Sequence, residues 1–163
     1  MHNSRLFALV GVGIGIMGLF VKSLNTAGEG LLPTLSQTGD FPDGIPTIWG
    51  GLATWAQVLL IILIVVVVAI ALRPPHDRPL DRTSGSVVAV IGLAVMGYAV
   101  VRWADAADKA DVLEAGFLRA AQADVIPAAY SVAPSTGFVV LLVGTALVVF
   151  GGVLGFRSDS RIG

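Results

Sequence analysis

Four apolar stretches that contain no ionisable residue constrain this chain more than any other feature. The longest, VLLIILIVVVVAIAL, runs from Val58 to Leu72. Hydrophobic residues make up 55% of the chain, while charged residues make up 13%, about half the share of a typical soluble domain. Water cannot solvate such stretches, and together they are too long to fill the core of one small domain. The sequence therefore predicts an integral membrane protein.

The predicted fold is an all-α membrane protein with four transmembrane helices in a single domain, residues 1–163. We place the spans at about residues 6–22, 52–72, 86–102 and 137–156. A helix of about 20 residues crosses the hydrocarbon layer. The first and third spans are shorter, but Arg5, Lys22 and Arg102 can snorkel to the interface at their ends. No clear cleavage site follows the first span, so we expect a retained helix rather than a signal peptide.

The distribution of charge predicts that both termini are cytoplasmic, in a multi-pass protein of a bacterial plasma membrane. The outer loops, 23–51 and 103–136, contain most of the carboxylates and, together with Lys22 and Arg102 at their borders, only four cations. The short segments on the other side carry six cations: Arg5, Arg73, Arg78, Arg82, Arg157 and Arg161. Three tryptophans fall at the outer ends of the spans, where a membrane-interface belt would place them: Trp49, Trp55 and Trp103.

The outer loops differ from each other in pattern. The first is rich in glycine and proline and is typical of consecutive turns. The second begins with an amphipathic helix, 105–122, in which apolar residues recur at helical spacing. We expect this helix to lie on the membrane surface or against a partner, with Leu113 and Phe117 as the candidate partner surface.

Glycines within the first and fourth spans form small-residue stripes. Gly11 and Gly15 are four residues apart, as are Gly151 and Gly155, and Gly144 precedes Gly151 by one heptad. In lipid, small residues let helix backbones approach closely, so we expect these five glycines to lie at helix-packing contacts. The alternative is that glycine is simply common in membrane helices. The second span has no such stripe and should face lipid or a bulky partner.

The sequence contains no arrangement that indicates catalysis, cofactor binding or a metal site. The absence of cysteine excludes thiolate and iron–sulfur ligation. His76 and Asp77 have no third ligand at matching spacing, and no ionisable group lies at mid-membrane depth, as a transporter would need. A net charge of −1 does not indicate a nucleic-acid partner. We therefore expect a non-catalytic accessory subunit with integral membrane proteins and lipids as partners.

Several segments carry a family resemblance. The Ala/Val/Gly-rich spans, the outer segment WADAADKADVLEAGF and the ending STGFVVLLVGTALVVFGGVLGFR resemble small four-span membrane proteins of actinobacteria. Among these, the chain is similar to the accessory subunits of the mycobacterial cytochrome bcc–aa3 respiratory supercomplex (supercomplex-associated factors). The resemblance implies a role in stabilising contacts between catalytic subunits of the electron transport chain. Haem and copper would then belong to the partner subunits, and phospholipid could be bound at the contacts.

Two other functions stay open. The chain could be a stand-alone small transporter or an envelope-biogenesis factor that binds a lipid or an envelope protein through its outer loops. An internal cavity would favour that alternative. A membrane enzyme would need His76, Asp77 and Asp81 to converge on a substrate at the inner face.

Overall fold

The computed structural model describes residues 1–39 and 41–159, which are mostly helical, as predicted. Within these residues five α-helices follow one another: α1 (Asn3–Leu19), α2 (Leu32–Leu35), α3 (Thr54–Leu72), α4 (Arg82–Gln122) and α5 (Thr136–Asp159). Two short strands, β1 (Leu24–Asn25) and β2 (Ala133–Pro134), pair antiparallel. By length and composition α3, α4 and α5 could each cross a membrane, whereas α1 is apolar but has 17 residues.

The long helices run antiparallel to their neighbours. Ser4 lies beside Gly151 and Gly18 lies beside Gly137, so the start of α1 adjoins the end of α5. Gly85, near the start of α4, also lies beside the end of α5. This arrangement gathers five of the predicted inner-side cations at one end of the bundle: Arg5, Arg73, Arg78, Arg82 and Arg157. Arg161 lies outside the described residues. The two long loops occupy the opposite end, here called the outer end.

Close backbone contact joins α1 to α5. A methyl carbon at Gly11 would lie 2.5 Å from the carbonyl oxygen of Gly144, and one at Gly144 would collide with the backbone nitrogen of Gly15. A methyl carbon at Gly151 would lie 2.6 Å from the oxygen of Ser4. Such separations leave no room for a side chain, which explains the small residues at heptad spacing on both helices.

The opposite side of α5 packs against α4 in the same way. A methyl carbon at Gly152 would lie 2.6 Å from the backbone nitrogen of Ala89, and one at Gly85 would lie 2.8 Å from the oxygen of Gly152. Gly155 packs against Leu80, just before α4 begins. The five glycines predicted to pack therefore lie against other parts of the same chain. Sequence analysis did not single out Gly18, Gly85, Gly92, Gly137 and Gly152, which lie at the same contacts.

The third predicted span and the predicted outer helix form one uninterrupted helix, α4, of 41 residues. At 1.5 Å per residue it is about 60 Å long, twice the thickness of the hydrocarbon layer. The predicted outer helix, 105–122, is therefore present as the outer half of α4 rather than as a separate helix. Asp81 caps the start of α4 by accepting a hydrogen bond from the Ser84 amide (3.3 Å). Hydrogen bonding to Ser84 lowers the pKa of the Asp81 carboxyl.

A buried arginine joins three segments at the inner end. The Arg5 guanidinium donates to the carbonyl oxygens of Arg78 (2.9 Å), Ala71 (3.1 Å) and Arg73. The last two carbonyls lie at the end of α3, where a cation also interacts favourably with the helix dipole. The neighbouring Ser4 hydroxyl accepts from the Leu80 amide (3.3 Å). Arg5 therefore fastens α1 to α3 and the inner loop.

In contrast, α3 packs loosely along its length. Only 17% of its most apolar 18-residue stretch is buried within the chain, against 22% for that of α4 and 44% for that of α5. Its buried side chains are confined to Ala56 near the start and to Val67 and Ala71 near the end. A narrow apolar crevice of about 50 Å³ separates the middle of α3 from α1 and α5. Most of α3 therefore presents leucine, isoleucine and valine to its surroundings.

Substitution of Gly11 tests the close contact between α1 and α5. Gly11→Ala should lower the free energy of unfolding in mixed micelles by about 1–3 kcal/mol, because overpacking a close contact displaces backbone. Gly13→Ala is the matched control: nothing lies within 4 Å of a methyl carbon there, and alanine is the better helix former. Unfolding can be followed by tryptophan fluorescence. Equal stabilities for the two variants would contradict the packing.

Candidate functional site

The two outer loops fold onto the outer half of α4 and form a small subdomain, here called the outer subdomain (residues 20–39, 41–53 and 103–135). Segment 21–25, where the first loop begins, lies between the later part of that loop and the second loop: the Ser23 amide donates to the Pro46 oxygen (2.9 Å), and the Ser135 amide donates to the Ser23 oxygen (3.1 Å). Pairing of β1 with β2 extends the second contact. The loops are thus joined to each other as well as to the helix.

Phe117 is the centre of the core of this subdomain. It is fully buried, and its ring centroid lies 5.5 Å from those of both Phe41 and Tyr130, one on each outer loop. Leu113 is buried in the same cluster. The prediction that Leu113 and Phe117 form a partner surface is therefore wrong: the amphipathic face exists, but the chain's own loops cover it.

A carboxylate on α4 fixes the second loop. Glu114 Oε2 accepts a hydrogen bond from the Val132 amide at 2.8 Å. In the first loop, Lys22 and Glu29 form an ion pair. Nothing in the position of Glu114 along the chain indicates an amide partner 18 residues away.

A groove of about 520 Å³ runs between α4 and segment 41–51 of the first loop. Its volume is in the usual range for a small-molecule site. Buried apolar side chains line its floor: Ile45, Ile48, Ala106, Leu113 and Phe138. On the rim, Val112 is 71% exposed. The groove therefore offers an apolar trough rather than a set of reactive groups.

Four charged residues of α4 line one side of the groove. Arg102 pairs with Asp105 (3.0 Å) and donates to the Gly51 oxygen (2.9 Å), so it fastens the loop to the helix. Asp108 and Lys109 lie on the exposed rim, and their side chains form no hydrogen bond or ion pair with any part of the chain that the structure describes. One unpaired charge of each sign therefore borders an apolar trough.

The three tryptophans lie at this same outer end. Trp55 and Trp103 are exposed near the start of α3 and midway along α4. Trp49 is half-buried: its amide donates to the Leu19 oxygen (2.8 Å), and its carbonyl accepts from Gln57 (3.0 Å). Their assignment to a membrane interface stays a prediction. If this prediction holds, the end of the groove that Arg102 lines, here called its lower end, lies at that interface.

The inner end carries a shallower polar pocket of about 370 Å³, lined by Arg5, Arg73, Arg78 and Asp81 together with three prolines. His76 and Asp77 are exposed and do not line it. Among residues 1–39 and 41–159, no group of three histidine or carboxylate residues could hold a metal ion. The structure thus does not bring His76, Asp77 and Asp81 together in this pocket.

Substitution of Phe117 tests whether the outer subdomain depends on its buried ring. Phe117→Ala should destabilise this subdomain by about 3–5 kcal/mol, because a large buried aromatic is replaced by a cavity. Hydrogen exchange should then speed up in residues 24–35 and 126–132 while α5 is unchanged. Phe117→Leu, which retains most of the volume, should have a smaller effect. Unchanged exchange in Phe117→Ala would contradict the role of the ring.

Comparisons with known proteins complete the description of the site. No protein-family model, curated protein sequence or solved structure matches the chain. What the groove and the helix faces can bind is therefore inferred from their own shape, chemistry and charge.

Proposed function

We propose that the chain is a four-span protein of the bacterial plasma membrane with both termini in the cytoplasm. Support for the fourth span comes from α1, which packs against α5 from Ser4 to Gly18 and so lies within the same layer. Its 17 residues are about 26 Å long, close to the hydrocarbon thickness, with Arg5 and Lys22 near its ends. The orientation is supported by the arginines at the inner end.

Single-cysteine labelling tests this orientation, because the chain has no cysteine of its own. Asp108→Cys, on the exposed rim of the groove, should react with a membrane-impermeant thiol reagent in intact cells. His76→Cys, in the exposed inner loop, should react only after lysis. The reverse pattern would overturn the orientation, and labelling of both positions in intact cells would overturn the number of spans.

We further propose that the protein is a non-catalytic accessory subunit of a larger membrane complex, with the cytochrome bcc–aa3 oxidase supercomplex of actinobacteria as the expected partner. Haem and copper would reside in the partner subunits. The observation that carries this proposal is the loose packing of α3: none of the close glycine contacts in the described residues involves this helix, and only 17% of its most apolar stretch is buried within the chain.

The physical argument concerns the difference between α3 and the other long helices. Glycine contacts fix α1, α4 and α5 against one another, so these three form a stable unit. By contrast, α3 is fastened mainly near its ends and leaves a row of bulky side chains free. These are Val58, Leu59, Ile61, Ile62 and Val65. A face of bulky apolar side chains can pack between the helices of a partner. Dispersion contacts and the entropy of the released lipid favour this association.

The outer groove favours a second candidate function. An envelope or transport role through the outer loops requires a cavity for a lipid or a segment of an envelope protein, and the groove supplies one of about 520 Å³. Its apolar floor and two unpaired rim charges suit an amphipathic ligand. The two functions are compatible, because the α3 face and the groove lie on different parts of the chain.

Affinity purification tests the accessory role. The tagged protein, extracted in mild detergent, should recover oxidase and cytochrome bcc subunits together with their haem absorbance. Val65→Trp, on the exposed face of α3, should reduce this recovery several-fold, whereas Val90→Trp, on an exposed face of α4, should not. A colourless protein recovered alone would overturn the accessory role and leave the second candidate.

A further inference from the structure

We propose that the outer groove binds one acyl chain of a zwitterionic phospholipid from the outer leaflet, with the head group held between Asp108 and Lys109. This inference deepens the second candidate function and rests on the outward orientation proposed above. It concerns a ligand site in the outer subdomain, which is separate from the α3 face.

The dimensions of the groove suit a single hydrocarbon chain. Its helical wall extends along one face of α4 from Arg102 to Gly116, a rise of about 21 Å at 1.5 Å per residue. Asp108 and Lys109 lie about 10 Å above Arg102 on this wall, so an acyl chain whose head group they hold occupies the groove down to Arg102 and continues from there into the outer leaflet. Segment 41–51 forms the facing wall along this length.

The walls favour hydrocarbon over polypeptide. A peptide strand would need free backbone donors and acceptors along one wall. Pro42 and Pro46 have no amide hydrogen to offer. The Pro46 oxygen already accepts from the Ser23 amide and hydroxyl, and the Ile48 amide donates to Val21. An acyl chain needs no such partners, and it would cover Val112, an apolar side chain otherwise exposed on the rim.

The position of the groove gives a lipid direct access. Its lower end is lined by Arg102, Gly51 and Phe138, the last of which lies in the first turns of α5. Trp103, adjacent to Arg102, is an exposed aromatic of the kind that lies at a membrane surface. A chain can therefore pass from the outer leaflet into the groove without crossing bulk water.

The charges on the rim select the head group. Arg102 is already balanced by Asp105, which leaves Asp108 and Lys109 as neighbouring charges of opposite sign. The phosphate of phosphatidylethanolamine can meet Lys109 while its ammonium meets Asp108. A lipid that carries only the phosphate charge, such as phosphatidylglycerol, would leave Asp108 without a counter-charge. The groove should thus prefer the zwitterionic lipid.

Photo-crosslinking in reconstituted membranes tests the acyl-chain site. The full chain is placed in vesicles that contain phosphatidylethanolamine with a photoreactive group near the carbonyl end of one acyl chain, and crosslinked peptides are identified by mass spectrometry. We expect labelling within 44–51 and 102–112. Val112→Trp should reduce this labelling about tenfold by filling the groove. Val125→Trp is the matched control, because Val125 is 59% exposed but does not line the groove.

The outcomes separate this inference from the other proposals. Labelling confined to α3 and the lipid-exposed faces of the other helices would overturn it, as would equal labelling of Val112→Trp and Val125→Trp. Equal labelling by phosphatidylglycerol, or an unchanged preference in the double variant Asp108→Asn with Lys109→Gln, would overturn the head-group assignment. If a peptide from a partner protein protects the groove from photo-crosslinking and added lipid does not, the ligand is a protein instead. Because purified protein is used, failure of the accessory role does not affect the result.

Discussion

The close backbone approach of α5 to both α1 and α4 is the constraint on which the rest of the structure depends. Glycines on two sides of α5 let it lie between its neighbours, so that a methyl carbon at Gly144 or Gly152 would meet backbone atoms of α1 or α4. Apolar side chains gain no hydrophobic free energy when they move from lipid into a contact between helices. Dispersion contacts at short range must therefore hold the helices together. These contacts set the antiparallel order that brings the arginines to one end and the long loops to the other.

The two ends of the bundle are completed by interactions of a different kind. At the inner end, Arg5 donates to three backbone carbonyls and ties α1 to the end of α3. At the outer end, beyond the apolar stretches, Phe117 and its cluster are held together by the burial of apolar side chains. Glu114 and Arg102 add hydrogen bonds that attach each loop to α4. The first half of α4 is therefore held by close backbone contacts with α5, and its second half is held by the hydrophobic cluster around Phe117.

Sequence patterns predicted the long apolar helices and part of the packing, because both follow from local composition. Gly144 and Gly151 stand at heptad spacing and do lie against α1, whereas Gly85 and Gly92 stand at the same spacing but were missed, since Gly85 lies just outside the predicted span 86–102. The face that contains Leu113 and Phe117 was recognised as apolar, but periodicity indicates that a face is buried and not what covers it. The continuity of α4 was missed because composition changes at Trp103, although no glycine or proline interrupts residues 98–115. The groove itself depends on how segment 41–51 folds across α4, which no local pattern specifies.

The uninterrupted course of α4 makes it a rigid lever between the apolar bundle and the outer subdomain. About 20 of its residues extend beyond Arg102, a lever arm of about 30 Å. A tilt of about 10° pivoting at that level would displace the far end by about 5 Å, because a straight helix has no hinge at which to absorb the change. Membrane helices adjust their tilt to the thickness of the bilayer. Because Phe117 and Glu114 attach the outer loops to this half of α4, such a tilt would carry the outer subdomain with the helix.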